Sequence, residues 1–203
     1  MSLLLQSNSH LKSANHITNV ATYAGLAEGK SPIEIKKFRE AELKHGRVAM
    51  VAVLGIFVGE NFNPLFQNQI SGPAIYQFQQ ADKLNTYLWV FVLFGIAIVE
   101  ALGISRGWES PEETATRGSN SPVAELKENY VNGDLGFDPL GLKPSDPKEF
   151  DLIRTKEINN GRLAMLAVAG IIAQELVNGK GVLQNFGFAA LPVIDLIDQN
   201  PIL

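Results

Sequence analysis

Apolar residues gather into three stretches, 48–59, 87–104 and 163–177, separated by polar and charged segments. Glu100 interrupts the second stretch, and Gln174 and Glu175 interrupt the third. Only the second approaches the roughly 18–20 residues of a membrane-crossing helix; by length the other two read first as buried core segments. Two helix starts are marked locally. Ser31-Pro32-Ile33-Glu34 and Asp146-Pro147-Lys148-Glu149 each offer an N-cap, a proline at the first helical position and a capping-box glutamate. The pattern predicts helices over about 32–60, 84–104 and 147–178, after a polar tail 1–30 and within a single domain 31–203. The first and third would be roughly 43–47 Å long at ~1.5 Å per residue. That exceeds a hydrocarbon core of roughly 30 Å, so their charged first turns would project from it. A short amphipathic helix is expected at 190–199, and the run 109–118 reads as a surface loop.

The basic residues give the stretches a direction. If all three cross a membrane, the N-terminus and the 105–162 segment share one side. Of the 17 Lys and Arg, only Lys83 and Lys180 then fall on the other. Such a bias marks a cytoplasmic-type face and points to a three-span, N-inside topology. Composition alone, with 46% hydrophobic residues and a mean hydropathy of +0.06, suggests a soluble protein instead. The absence of cysteine removes disulfides, thiolate metal sites and cysteine nucleophiles, and the net charge of −4 lacks the basic footprint of a nucleic-acid binder.

The first and third stretches are copies of one another. Glu42, Gly46, Arg47, Ala49 and Met50 recur as Glu157, Gly161, Arg162, Ala164 and Met165, an offset of 115 residues. The identity continues at Ala52/Ala167, Val53/Val168, Gly55/Gly170, Ile56/Ile171 and Glu60/Glu175. Two similar helices inserted in one direction imply a pseudo-two-fold axis along the membrane normal. The predicted fold is an all-α membrane protein of three transmembrane helices, the first and third crossing and the middle one antiparallel alongside.

Charges inside such helices are expensive unless paired. Glu42 and Arg47 lie five residues apart, about 140° around their helix, and do not face each other. The repeat offers a reciprocal solution in which Glu42 pairs with Arg162 and Glu157 with Arg47. Gly46, Ala49, Gly161 and Ala164 lie near the glutamate faces and would let the backbones approach. His45 and Asn160 hold equivalent places three residues after the glutamates and point elsewhere. Glu42, His45, Glu100, Glu157, Asn160 and Gln174 each present a nitrogen or oxygen lone pair. Dispersed singly, they build no octahedral Mg²⁺ cage, but each could supply one axial ligand to a metal held by a macrocycle. A glutamate bridged to arginine keeps its second oxygen for such a role. On the residues alone, a small membrane transporter or channel subunit stays open, because intramembrane Glu and Arg also line ion paths. No catalytic residue is assigned; an enzyme acting through Glu42 and His45 would lack a nucleophile on those faces.

At these residues the chain closely resembles the chlorophyll-binding light-harvesting complex superfamily, the three-helix antenna proteins of thylakoids. The resemblance rests on two copies of Glu-x-x-His/Asn-Gly-Arg-x-Ala-Met, the middle helix and the loop 136–142. It implies that Glu42, His45, Glu100, Glu157, Asn160 and Gln174 ligate chlorophyll magnesium, the only metal expected. It also implies that Arg47 and Arg162 bridge the helices, and that Phe137, Asp138, Pro139 and Leu140 help seat the polar end of a carotenoid. The implied cofactors are chlorophyll a, chlorophyll c ahead of b as a second pigment, xanthophyll carotenoids and a structural lipid.

Three departures stand out. The loop 22–27 has lost the Asp-Pro of its repeat mate, Val92 replaces a glutamine common in the family, and Ala189 stands near a position where some members carry histidine. They favour a divergent red-lineage member, of the chlorophyll a/c or small antenna-like type. The implied function is non-enzymatic: excitation energy passes to a photosystem core, photosystem I slightly favoured. The implied neighbours are that core, other antenna proteins and thylakoid lipids, with no nucleic acid. The location implied is the plastid thylakoid, N-terminus stromal and C-terminus lumenal; no transit peptide is visible, and the chain reads as processed. Photoprotective quenching is the alternative within the family. Few acids are expected to face the lumen (Asp82, Asp195 and Asp198, with Glu60 and Glu175), which favours harvesting.

Overall fold

The computed structural model describes residues 29–61, 69–85, 87–116 and 124–187. The expected 190–199 helix, the loop 22–27, Ala189, Asp195 and Asp198 lie outside the described residues. Within them the chain is mostly helical: α1 (Pro32–Asn61), α2 (Ala74–Leu84), α3 (Tyr87–Gly107), α4 (Pro111–Thr116), α5 (Pro147–Asn178) and α6 (Val182–Asn185). The only β pairing among the described residues is an isolated antiparallel bridge between Trp108 and Leu126. Among the described residues two helices, α3 and α5, are long and apolar enough to cross a membrane. Apart from Glu60 near its end, the charges of α1 lie between Glu34 and Arg47, and its apolar part spans twelve residues, 48–59.

Local chemistry explains most boundaries. At α1 the Ser31 N–H donates to Glu34 Oε2 at 2.8 Å and the Glu34 N–H to Ser31 Oγ at 3.3 Å, a closed capping box. The Ser31 backbone donor also holds the Glu34 carboxyl below its usual pKa. The same Ser-Pro-x-Glu signature at Ser110 and Glu113 closes a second box and starts α4, so residues 111–116 of the expected surface loop are helical. At α5 the expected side-chain cap is absent: Asp146 is extended and its carboxyl makes no capping hydrogen bond, leaving Pro147 to open the helix. Gly179 ends α5 in the left-handed conformation (φ 64°), its N–H donating to the Glu175 carbonyl.

Between α1 and α3 lies α2, where no helix was expected. Its first amides are satisfied from a distance. The Ala74 N–H donates to Glu60 Oε1 at 3.1 Å, and the Ile75 N–H to Glu175 Oε2 at 2.9 Å. Glu60 Oε2 accepts the Val182 N–H at 2.7 Å, at the start of α6. The repeat-equivalent glutamates therefore cap helices that follow them in space, and Glu175 is buried rather than lumen-facing. The middle helix begins at Tyr87 instead of 84, because Asn85 breaks the chain and its Oδ1 accepts the Tyr87 N–H. Phe78 of α2 stacks on Trp89 of α3, ring centroids 4.1 Å apart.

The chain divides into two compact units. One joins the turns of α1 up to Ala41 to the segment Gly107–Asn132. Here Lys36 Nζ donates to the carbonyls of Lys127 (2.7 Å) and Glu128 (2.9 Å), and Tyr130 donates to Glu40. Partial burial lowers the Lys36 pKa, with Glu128 and Glu40 opposing it. Leu126 is its most buried large side chain. The other unit, Glu42–Arg106 with the chain from Gly133 onward, contains all the candidate site residues described below.

Candidate functional site

The site is built at the contact of α1 and α5. A Cβ added to Gly46 would lie 3.0 Å from the Gly161 Cα, and one added to Gly161 2.9 Å from the Gly46 Cα. The two backbones touch where any side chain would hold them apart. Ala49 and Ala164, three residues on, are buried alike. Either side of this contact sits an ion pair: Arg47 Nε donates to Glu157 Oε1 at 2.6 Å, and Arg162 Nε to Glu42 Oε1 at 2.6 Å. The side-chain exposures match as well, 39% and 27% for the first pair and 38% and 27% for the second. Arg47 alone reaches further, its Nη1 donating to the Gly133 carbonyl at 2.9 Å.

The remaining donors point away from this contact. His45, Glu100, Asn160 and Gln174 are exposed, while Glu42 and Glu157 are half-buried at the bridges. Beside His45 and Asn160, one turn on, stand Val48 (70% exposed) and Leu163 (67%), and beyond them Val51 (71%) and Leu166 (74%). Glu100 projects from a helix whose residues 90–102 are all exposed, Val92 among them. Gln174 lines a cavity of about 510 Å³ together with Val53 and Phe57 of α1, Gly170 and Ile171 of α5, and Phe186. The described residues contain no group of three His, Cys, Asp or Glu placed to hold a bare metal ion. Single nitrogen and oxygen donors beside wide apolar surface fit a magnesium already held in a large apolar ring, which needs one axial ligand and a greasy wall.

The loop 136–142 is a stiff presenter of apolar side chains. Asp138 accepts the N–H groups of Leu142 and Lys143, both at 2.9 Å, and these backbone donors, Lys143 first, hold its carboxyl below the usual aspartate pKa. Gly136 and Gly141 supply the positive φ that the turns require. Phe137 (84% exposed) and Leu140 (78%) stand out from this frame, next to Pro139.

One contact joins a candidate donor to a residue that no motif singled out. Lys44 Nζ of α1 lies 2.6 Å from Glu100 Oε2 of α3. Its only trace in the sequence is a break in the repeat, since the equivalent residue of the second copy is Asn159.

Fold and site together define a mostly helical protein with two helices long and apolar enough to cross a membrane, clamped by reciprocal ion bridges and bearing exposed nitrogen and oxygen donors beside apolar faces. Residues 12–176 match the family described as Chlorophyll A-B binding protein. The chain is 48% identical over 164 residues to Light-harvesting complex stress-related protein 1, chloroplastic, of Chlamydomonas reinhardtii, covering 78% of this chain and 61% of that protein's length. It is 47% identical over 156 residues to a chloroplastic Fucoxanthin-chlorophyll a-c binding protein of Isochrysis galbana, covering 77% and 71% respectively. With a chloroplastic Chlorophyll a-b binding protein of Petunia hybrida the identity is 32% over 165 residues, 79% of this chain and 59% of the relative. This chain belongs to the chlorophyll a–b binding protein family.

Proposed function

We propose that the protein is a photosynthetic antenna of the plastid thylakoid, a three-span helical membrane protein in which α1 and α5 form a pseudo-two-fold pair with α3 alongside. Chlorophyll a, a second chlorophyll of the c type and carotenoids, when bound, supply light absorption and excitation transfer. The chain's own residues hold, space and orient them. Glu42, His45, Glu100, Glu157, Asn160 and Gln174 each offer one lone pair toward a magnesium, and the apolar faces beside them exclude water from it. Phe137, Asp138, Pro139 and Leu140 seat one carotenoid end. Excitation leaves to a photosystem core, photosystem I slightly favoured, with the N-terminus stromal.

The observation that carries this reading is the pairing of exposed apolar helix faces with nitrogen and oxygen donors at repeat-equivalent places, His45 beside Val48 and Asn160 beside Leu163. In water such faces would be a liability; a pigment and lipid coat turns them into binding surface. Refolding the chain in detergent with a thylakoid pigment extract should give a stable complex with red-region chlorophyll absorption. A stable, colourless protein would sink the proposal. Photoprotective quenching is the second reading, favoured by the 48% identity to a relative named stress-related. Fluorescence lifetime decides between them: a lifetime near that of free chlorophyll marks harvesting, and a strongly shortened one marks quenching.

A further inference from the structure

We infer that Lys44 is the positioning residue of the chlorophyll site at Glu100, a role that rests on the antenna reading above. Glu100 is the only acidic residue of α3. The neighbours on its helix, from Ile96 and Val99 to Leu102 and Ile104, are exposed apolar side chains. A carboxylate in that setting needs a counter-charge. Within α3 the only cation is Arg106, six residues on and about 240° around the helix at 100° per residue, so it does not share the Glu100 face. The counter-charge comes from α1, where Lys44 Nζ sits 2.6 Å from Glu100 Oε2.

Two further observations bear on the contact. Gly103, almost one turn beyond Glu100, is buried, and a Cβ placed there would already meet Lys44 Nζ at 3.6 Å. That is ordinary van der Waals contact, so the lysine head packs directly against the Gly103 position, where only a small residue fits without moving it. The repeat is also broken at this position. Glu42, Gly46 and Arg47 recur as Glu157, Gly161 and Arg162, yet Lys44 becomes Asn159. Lys44 lies two residues after Glu42, about 200° around the helix, and so has no part in the Arg162 bridge. The cation occurs only in the copy that meets α3.

The ammonium engages Oε2 and leaves Oε1, which accepts no hydrogen bond among the described residues, as the oxygen that would ligate magnesium. It places a positive charge against the one carboxylate of an otherwise apolar helix face and fixes Oε2 by a hydrogen bond. The same contact restricts rotation of the Glu100 carboxylate, which would orient a chlorophyll held there.

The test is refolding with chlorophyll a and a carotenoid extract, using wild type, Glu100→Leu, Lys44→Met, Lys44→Arg and the Lys44→Met/Glu100→Leu double variant. Pigment stoichiometry and the circular dichroism of the red chlorophyll band are the readouts. Lys44→Met should lose the same single chlorophyll as Glu100→Leu, with the same difference spectrum. The double variant should lose no more, and Lys44→Arg should restore the band. A Lys44→Met complex with full pigment and an unchanged spectrum overturns the inference. So does one whose losses differ from those of Glu100→Leu, the mark of a merely structural tie. Should Lys44→Met fail to assemble, Lys44→Gln, which keeps a donor without the charge, is judged by the same two criteria. A wild-type chain that takes up no pigment refutes the antenna reading itself, a separate result from wild type and Glu100→Leu carrying equal pigment, which refutes only the Glu100 site.

Discussion

The four residues of the two bridges do different work from the residues beside them. Glu42 and Arg162, like Glu157 and Arg47, are each half-covered by the opposite helix and meet at 2.6 Å. In water, pairs this exposed would be worth roughly 0–1 kcal/mol. Under the proposed coat of apolar pigments and lipid they would approach the buried case, where removing one partner costs about 3–5 kcal/mol. Arg162→Leu should therefore impair assembly severely, while Arg162→Leu with Glu42→Leu should cost less than the sum of the single changes. Thermal denaturation of the pigmented complexes, arranged as a double-mutant cycle, measures the difference. Strictly additive losses would mean that the bridge is decorative. The partners were legible from the sequence because helical angles forbid the intrahelical pairing and the repeat supplies the alternative. Lys44 was not legible, because its partner belongs to a helix outside the repeat and no periodicity relates the two.

Helix boundaries show what a local signal can carry. The closed box at Ser31 and Glu34 and the one at Ser110 and Glu113 obey one rule, in which four consecutive residues satisfy two amides. The rule reads α1 from the sequence and would equally have found α4. It fails at Asp146, where the backbone runs extended and the carboxyl forms no cap. It is silent at α2, whose caps are Glu60 and Glu175, many residues away in the chain. Tertiary capping leaves no local trace, so α2 was hidden inside a polar loop. Glu60 supports two helix starts with two oxygens, since Oε1 takes the Ala74 amide and Oε2 the Val182 amide. Hydrogen exchange at both amides should quicken at least several-fold in Glu60→Ala, because hydrogen bonds to charged acceptors contribute about 1.5–3 kcal/mol each. Glu60→Gln, with one acceptor oxygen left, should expose only one of them. Unchanged protection in both variants would show that packing, rather than the glutamate, sets these helix starts.

Across the whole chain, the mean hydropathy of +0.06 averages long apolar helix faces against highly charged segments. That average pointed to water; the order of residues pointed to a membrane. The distribution of cations makes a prediction about the protein in its bilayer. Lys83 and Lys180 should be modified by a membrane-impermeant amine reagent only from the side opposite to that which reaches Lys127, Lys143 and Lys148. Mass spectrometry of sealed, oriented vesicles reads the pattern. Labelling of all five lysines from one face would rule out the three-span topology. What the order of residues did not convey is the division into two compact units, which depends on contacts such as that of Lys36 with the Lys127 and Glu128 carbonyls.

The contact of Gly46 with Gly161 has a spectroscopic meaning as well as a mechanical one. Because backbone meets backbone there, no rotamer stands between the two helices, and their separation has no side-chain adjustment. If His45 and Asn160, one residue from the contact, mount pigments as proposed, that separation would enter their dipole coupling, which falls with the cube of distance. A single methyl group at position 46 would act as a shim. Before it unfolded anything it would detune the complex, shifting exciton splitting and transfer time in a protein whose fold looked intact.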